Sequence, residues 1–269
     1  MRSQKAHSSP RFDIINRMGS PLPAIESLIQ GAVALVFIHA VANPSATTIA
    51  LVANIITSLP FILIGMVGLA RRNLGRTKQS PATALVFLIS LILVGAGSTF
   101  YHWSPSPERL LWDRLPIAIC VAAFPCMLAN LPGGSKIGTI FLWPAMILSV
   151  GSVLYWYATW KRGHEDVRAY AAIQVSVILY AVWIAFGSSL QAHALFSLRL
   201  GLAVYVVGRV AEVFQQQIYQ IIGVDLGHPL KHLLVALATY FLVRSYEFSI
   251  RKEVGSSEES SSAAIPLPN

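Results

Sequence analysis

The sequence predicts an all-α membrane protein, a single bundle of membrane-spanning helices. Three observations carry that prediction. Residues of the AVILMFWYC set make up 55% of the 269 positions. Only 12% of the residues are charged, where a soluble domain carries about 25%. The mean hydropathy is +0.60, and the apolar residues fall into repeated runs long enough to cross a bilayer. Length alone would allow one or two soluble domains, but that apolar surplus does not fit inside one water-soluble core. A soluble enzyme, a disordered chain and a secreted disulfide scaffold are excluded. Cys120 and Cys126 lie within one apolar run and read as small hydrophobes, not as a disulfide or a thiolate metal site.

A hydrocarbon core about 30 Å thick needs ~20 apolar residues per helix. Eight runs meet that need, near 24–42, 46–70, 81–101, 110–130, 136–157, 169–190, 193–213 and 228–249. The first run is short and contains Glu26 and His39. Its Ala40-Val41-Ala42 resembles the A-x-A cleavage site of a signal peptide. The leader before it is long for a signal, so a retained helix is expected, giving eight helices, or seven after cleavage. The links are polar or rich in Pro and Gly: RRNLGRTKQSP, WSPSPER, LPGGSK and WKRGHEDVRAY. Residues 1–23 read as a polar N-terminal tail, 24–249 as one polytopic domain and 250–269 as a disordered C-terminal tail.

The net charge is +8, from 20 basic and 12 acidic residues. The basic residues cluster at the ends of apolar runs, which points to topology and anionic headgroups. Aromatic–basic interleaving of the kind a nucleic-acid groove needs is not seen, so no nucleic-acid partner is expected. With eight helices and a cytoplasmic N-terminus, the inner segments hold Arg2, Lys5, Arg11, Arg17, Arg71, Arg72, Arg76, Lys78, Lys136, Arg244, Arg251 and Lys252. The outer loops hold Arg109, Lys161, Arg162 and Arg168, partly offset by Glu165 and Asp166. The excess of positive charge inside sets this orientation and places the C-terminus in the cytoplasm. In a bacterium the membrane would be the cytoplasmic one.

Ionisable residues within spans are costly and mark function. Ser98 and His102 close the third run, in GAGSTFYH; Asp113 opens the fourth, in ERLLWDRLP; His228 and His232 open the last, in GHPLKH. Ser98 with His102, and His228 with His232, are spaced i,i+4, which puts each pair on one helix face. Pro229 suits the first turn of a helix. In the topology above all five residues fall at the extracytoplasmic end. Any one of them alone reads more readily as a hydrogen-bonded helix end. Together, three imidazoles with an open fourth position make the ligand set of a catalytic zinc; iron, copper and nickel also accept imidazole. Asn54 and Ser58 are i,i+4 and read first as helix-packing polar residues, with a supporting role at the site as the lesser reading. Arg209 and Glu212, i,i+3, read as a pair within the bundle. Trp103, Trp112, Trp143, Tyr155, Trp156, Tyr157 and Trp160 read as interfacial anchors.

At these residues the sequence resembles the alkaline ceramidase family, within the CREST superfamily of seven-helix membrane hydrolases, which also contains the progestin and adiponectin receptors. GSTFYH supplies the family's Ser and His four apart, WDRLP its Asp, and GHPLKH its H-x-x-x-H pair. The stretch from Asn54 to Phe61 is similar to the family's N-x-x-S-N-x-P-F. The resemblance spans about 46–249 and is strongest to a bacterial branch with one extra N-terminal helix. It implies a seven-helix CREST-type bundle with that helix added. No acidic cluster resembles the calcium site of the eukaryotic ceramidases, so calcium regulation is not implied.

The resemblance implies metal-assisted hydrolysis of a lipid amide of the ceramide type, or of an ester. His102, His228 and His232 would bind Zn²⁺, Asp113 would accept the proton of the attacking water, and Ser98 would donate to the developing oxyanion or orient the water. A second expectation is a non-catalytic metal-containing receptor or sensor, or a lipid-binding protein. A third is an intramembrane serine protease of the rhomboid type with Ser98 as nucleophile, which leaves His102, Asp113 and one of the two C-terminal histidines without a role.

Overall fold

The computed structural model describes residues 46–72, 82–131 and 136–263, with side chains from 48 to 250 within those ranges. Eight helices occur among the described residues: α1 Ala46–Arg71, α2 Ala82–Trp103, α3 Pro107–Ala129, α4 Ile137–Lys161, α5 Arg168–Gly187, α6 Ala192–Val213, α7 Gln215–Ile222 and α8 Gly227–Ala263. Seven of them, all but α7, are long and apolar enough to cross a membrane. They are the seven runs expected from 46 onward, and the protein is a multi-pass membrane protein. The run at 24–42 lies outside the described residues.

The helices expose apolar side chains because their surroundings are lipid. Ile140, Trp143, Ile147 and Leu148 on α4 are exposed, as are Leu179, Trp183 and Phe186 on α5. In water such a surface would be a liability; in a bilayer it costs nothing. What packs inside is small or polar. Ser58, Thr83, Ser90 and Ser245 are fully buried, and most of the buried hydroxyls are satisfied one turn back, as Ser90 Oγ is by the Phe87 carbonyl (2.7 Å). Internal satisfaction of every polar group is the condition for life in hydrocarbon.

Chain order sets much of the packing. α1 lies on α2, α2 on α3, α3 on α4, and α8 closes the bundle against α6 and α1. Two glycines bring α2 close to its neighbours. A Cβ on Gly95 would lie 2.8 Å from the Ser58 carbonyl oxygen and 2.5 Å from Ile62 Cγ1 on α1. A Cβ on Gly97 would collide with the Trp112 carbonyl on α3. Small residues let backbones approach in this way where no hydrophobic force drives helices together. The consequence is local to the site: Ser98 and His102 are held between α1 and α3.

The ends of the elements follow from capping chemistry. α3 starts three residues earlier than its apolar run because Ser106 is its N-cap, accepting from the Arg109 amide (3.3 Å), with Pro107 in the first turn. Asp113 is thereby placed nearly two turns into the helix. α7 was not expected from the sequence. It is eight residues long, and none of them is buried. Its Ile218, Ile221 and Ile222 share one face, the pattern of a helix lying at a membrane interface. α8 is continuous from Gly227 to Ala263, so helical backbone extends beyond 249 into the stretch read as a tail. Trp156 departs from its reading as an interfacial anchor. It is 1% exposed, packs with Ala118 and Val153, lies under the Arg114 guanidinium (3.9 Å) and donates to Glu165 Oε1 (3.0 Å). Its side of α4 faces α3, not lipid.

Candidate metal centre

Four helices converge at the end of the bundle where α1 begins, α2 ends, and α3 and α8 begin. His102 comes from the last turn of α2, and His228 and His232 from the first two turns of α8. Their ring centroids are 5.1 Å (His102–His228), 5.2 Å (His102–His232) and 4.6 Å (His228–His232) apart. One nitrogen from each ring can be chosen so that all lie within 4.8 Å of one another. A tetrahedral ion holds such nitrogens at about 2.0–2.1 Å from itself, so about 3.3 Å from one another.

The polar atoms around the rings test whether an ion fits. His102 Nε2 is buried and has no hydrogen-bond partner among the described residues. An orphaned imidazole nitrogen in a membrane bundle is expensive, and a cation would satisfy it. His232 faces α1 through Nδ1, which lies 3.4 Å from the Asn54 carbonyl oxygen, 3.3 Å from Ser58 Oγ and 3.4 Å from Thr57 Oγ1. A carbonyl can only accept, so the proton sits on Nδ1 in that contact and the lone pair sits on Nε2. Fixing one nitrogen of a ligating histidine so that the other faces the metal is how such rings are oriented. The donor set is three neutral nitrogens, which suits zinc and other late first-row ions.

Ser98 and Asp113 stand beside the imidazoles. Ser58 Oγ donates to the Asn54 carbonyl (2.7 Å). Ser98 Oγ, at 3.0 Å, is the second acceptor in reach of that one hydroxyl hydrogen, and His232 Nδ1 lies 3.3 Å away. Asp113 Oδ1 is buried without a partner among the described residues, as is Asn54 Oδ1. A chain of contacts thus runs from Asn54 through Ser58 to Ser98, with His232 hanging from it.

The remaining histidines of the described residues lie elsewhere. His164 is exposed in the α4–α5 turn, and His193 packs its ring near Phe248 toward the far end of α8 (5.9 Å). Arg209 and Glu212 form the expected pair on α6. Glu212 also takes the ammonium of Lys231 on α8 (2.9 Å). Lys231 Nζ stands 3.3 Å and 3.4 Å from the two ring nitrogens of His228. Spacing on one helix could not show the Glu212–Lys231 pair, because it is made between α6 and α8.

A family model described as Ceramidase matches residues 45–265, and no curated protein and no solved structure matches the chain.

Proposed function

We propose that this chain, which belongs to the ceramidase family, is a zinc-dependent integral-membrane hydrolase that cleaves the amide bond of a ceramide-like N-acyl lipid, or a lipid ester. The observation that carries the reading is the meeting of three imidazoles, from helices far apart in sequence, within 4.8 Å at a bundle end.

His102, His228 and His232 would hold the ion. When bound, Zn²⁺ supplies Lewis acidity and lowers the pKa of water to about 7. The chain's own residues do the rest. Asp113 accepts the proton of the attacking water as general base; its partnerless Oδ1 is the accepting atom. Ser98 donates its hydroxyl hydrogen to the oxygen on which negative charge develops. Ser58 and Asn54 position both, since they touch Ser98 and His232 together. The bundle end lies where a lipid amide sits while its acyl chain remains in hydrocarbon. The positive-inside bias puts that end on the extracytoplasmic face and the C-terminus in the cytoplasm.

The test is hydrolysis of N-acyl lipids and matching esters by purified protein in detergent, beside Asp113→Asn and His102→Ala. Asp113→Asn is expected to lose about 10²-fold or more in turnover while keeping its metal. His102→Ala is expected to lose both. Full activity in either variant, or in chelated protein, would overturn the proposal. Covalent labelling of Ser98 by a fluorophosphonate would favour a serine hydrolase instead.

A further inference from the structure

Lys231 has no task in the hydrolysis just described, yet its ammonium stands against the proposed metal centre. Its side chain is only 15% exposed. Nζ lies 3.3 Å and 3.4 Å from Nδ1 and Nε2 of His228 and 2.9 Å from Glu212 Oε1. Three effects disfavour a cation at that place. Lys231 is near the start of α8, where the helix carries its own partial positive charge, and the first turn supplies no acidic residue. The neighbouring imidazoles are arranged to receive a second cation. The surroundings are the end of a membrane bundle, where unpaired charge is costly. A lysine can escape such a place by extending its stem to water; this one is folded onto the His228 ring.

Glu212 offsets only part of the charge. Its carboxylate is shared with Arg209, so Arg209, Glu212 and Lys231 together carry one net positive charge, which the Asp113 carboxylate, within electrostatic reach of Lys231, offsets only in part and not at all in Asp113→Asn. An ammonium has three hydrogens. Glu212 uses one. The His228 ring is a poor acceptor for another once it ligates through one nitrogen, because the other nitrogen then carries a hydrogen. Lys231 is therefore left with donor capacity and net charge beside the reacting centre, at the depth of the lipid headgroups.

We propose that Lys231 is a specificity-determining residue that receives an anionic group on the amine half of the substrate. The inference rests on the hydrolase reading above and names its substrate class. The substrate is an N-acyl lipid whose headgroup bears a sulfonate, phosphate or carboxylate a few atoms from the scissile amide, in preference to a neutral alcohol. The acyl half cannot supply that anion, because it lies in hydrocarbon. Arg209, which is half exposed at the same end, extends the positive field toward water.

The experiment compares two conjugates that differ in one group, N-dodecanoyltaurine and N-dodecanoylethanolamine. The sulfonate is a weak metal ligand, so it reports on Lys231 and not on the ion. Binding is measured by titration calorimetry to zinc-loaded protein carrying Asp113→Asn, which keeps the conjugates intact. The taurine conjugate is expected to bind about tenfold tighter or more, the low end for one charge-assisted hydrogen bond. Lys231→Met should abolish the preference and leave the neutral conjugate within about twofold, and Lys231→Arg should retain it. Equal affinities without the Lys231 change, or an equal loss of both conjugates in Lys231→Met, would overturn the proposal. If Lys231→Met fails to fold or to hold zinc, loss of the preference in well-folded Lys231→Arg would overturn it and retention would support it. Turnover by the unmodified chain separates the two readings. Hydrolysis of neither conjugate counts against the hydrolase and leaves the binding preference to decide on Lys231. Hydrolysis of both with equal KM counts against Lys231 alone.

Discussion

Ser58 shows how much of the proposed chemistry depends on side chains that touch neither ion nor substrate. It is fully buried and contacts Ser98, the Asn54 carbonyl and His232 at once. Removing it leaves His232 Nδ1 with longer contacts to Thr57 and the Asn54 carbonyl only. Ser58→Ala is expected to weaken metal affinity about 10- to 100-fold, the range for outer partners of ligating histidines, with the helix content unchanged. Metal titration monitored beside circular dichroism checks this. The five polar residues Ser98, His102, Asp113, His228 and His232 are legible in the sequence. They interrupt apolar runs, and i,i+4 spacing fixes a shared face for two pairs. Lys231 and Thr57 are not legible as parts of the site. Their contacts with His228 and His232 depend on where one side chain folds and how two helices meet. The i,i+3 spacing of His228 and Lys231 allows their contact without singling it out, and the contact of Thr57 with His232 has no sequence period.

At the scale of helices, the site is an outcome of close approach. Gly95 and Gly97 bracket the turn before Ser98, one against α1 and the other against α3. A larger residue at Gly95 must displace the Ser58 carbonyl, which is backbone and cannot rotate away. Gly95→Val is expected to push α1 from α2, lower the melting temperature in detergent by several degrees, as overpacking of about 1–3 kcal/mol would, and reduce bound metal in the same sample. A stable variant with full metal would contradict the role given to this contact. The seven long helices are legible because apolar length is a strong signal. Their ends are less so. α3 begins at its Ser106 cap and not at the first apolar residue. α7 is too short for any window of membrane length and shows only as three isoleucines on one face. Trp156 was legible as an aromatic but not as a buried one, since burial depends on which side of α4 meets α3.

At the scale of the molecule, composition and charge carry the most information. A chain 55% apolar and 12% charged has little choice but the bilayer. The basic residues around 71–80 and after 244 are the basis of the proposed orientation. On that proposal His102, Asp113 and His228 face outside, together with the exposed Trp103 at the end of α2. Trp103→Cys is expected to react with a membrane-impermeant maleimide in intact cells, while Cys120 and Cys126, inside α3, stay unlabelled. Labelling only after the membrane is opened would reverse the topology. On the proposed reading the metal makes a hydrolase of this bundle, so metal content of purified protein is the most direct measurement. One zinc per chain is expected in the unmodified protein and almost none in His228→Ala. Stoichiometric metal in neither, or equal metal in both, would contradict the account.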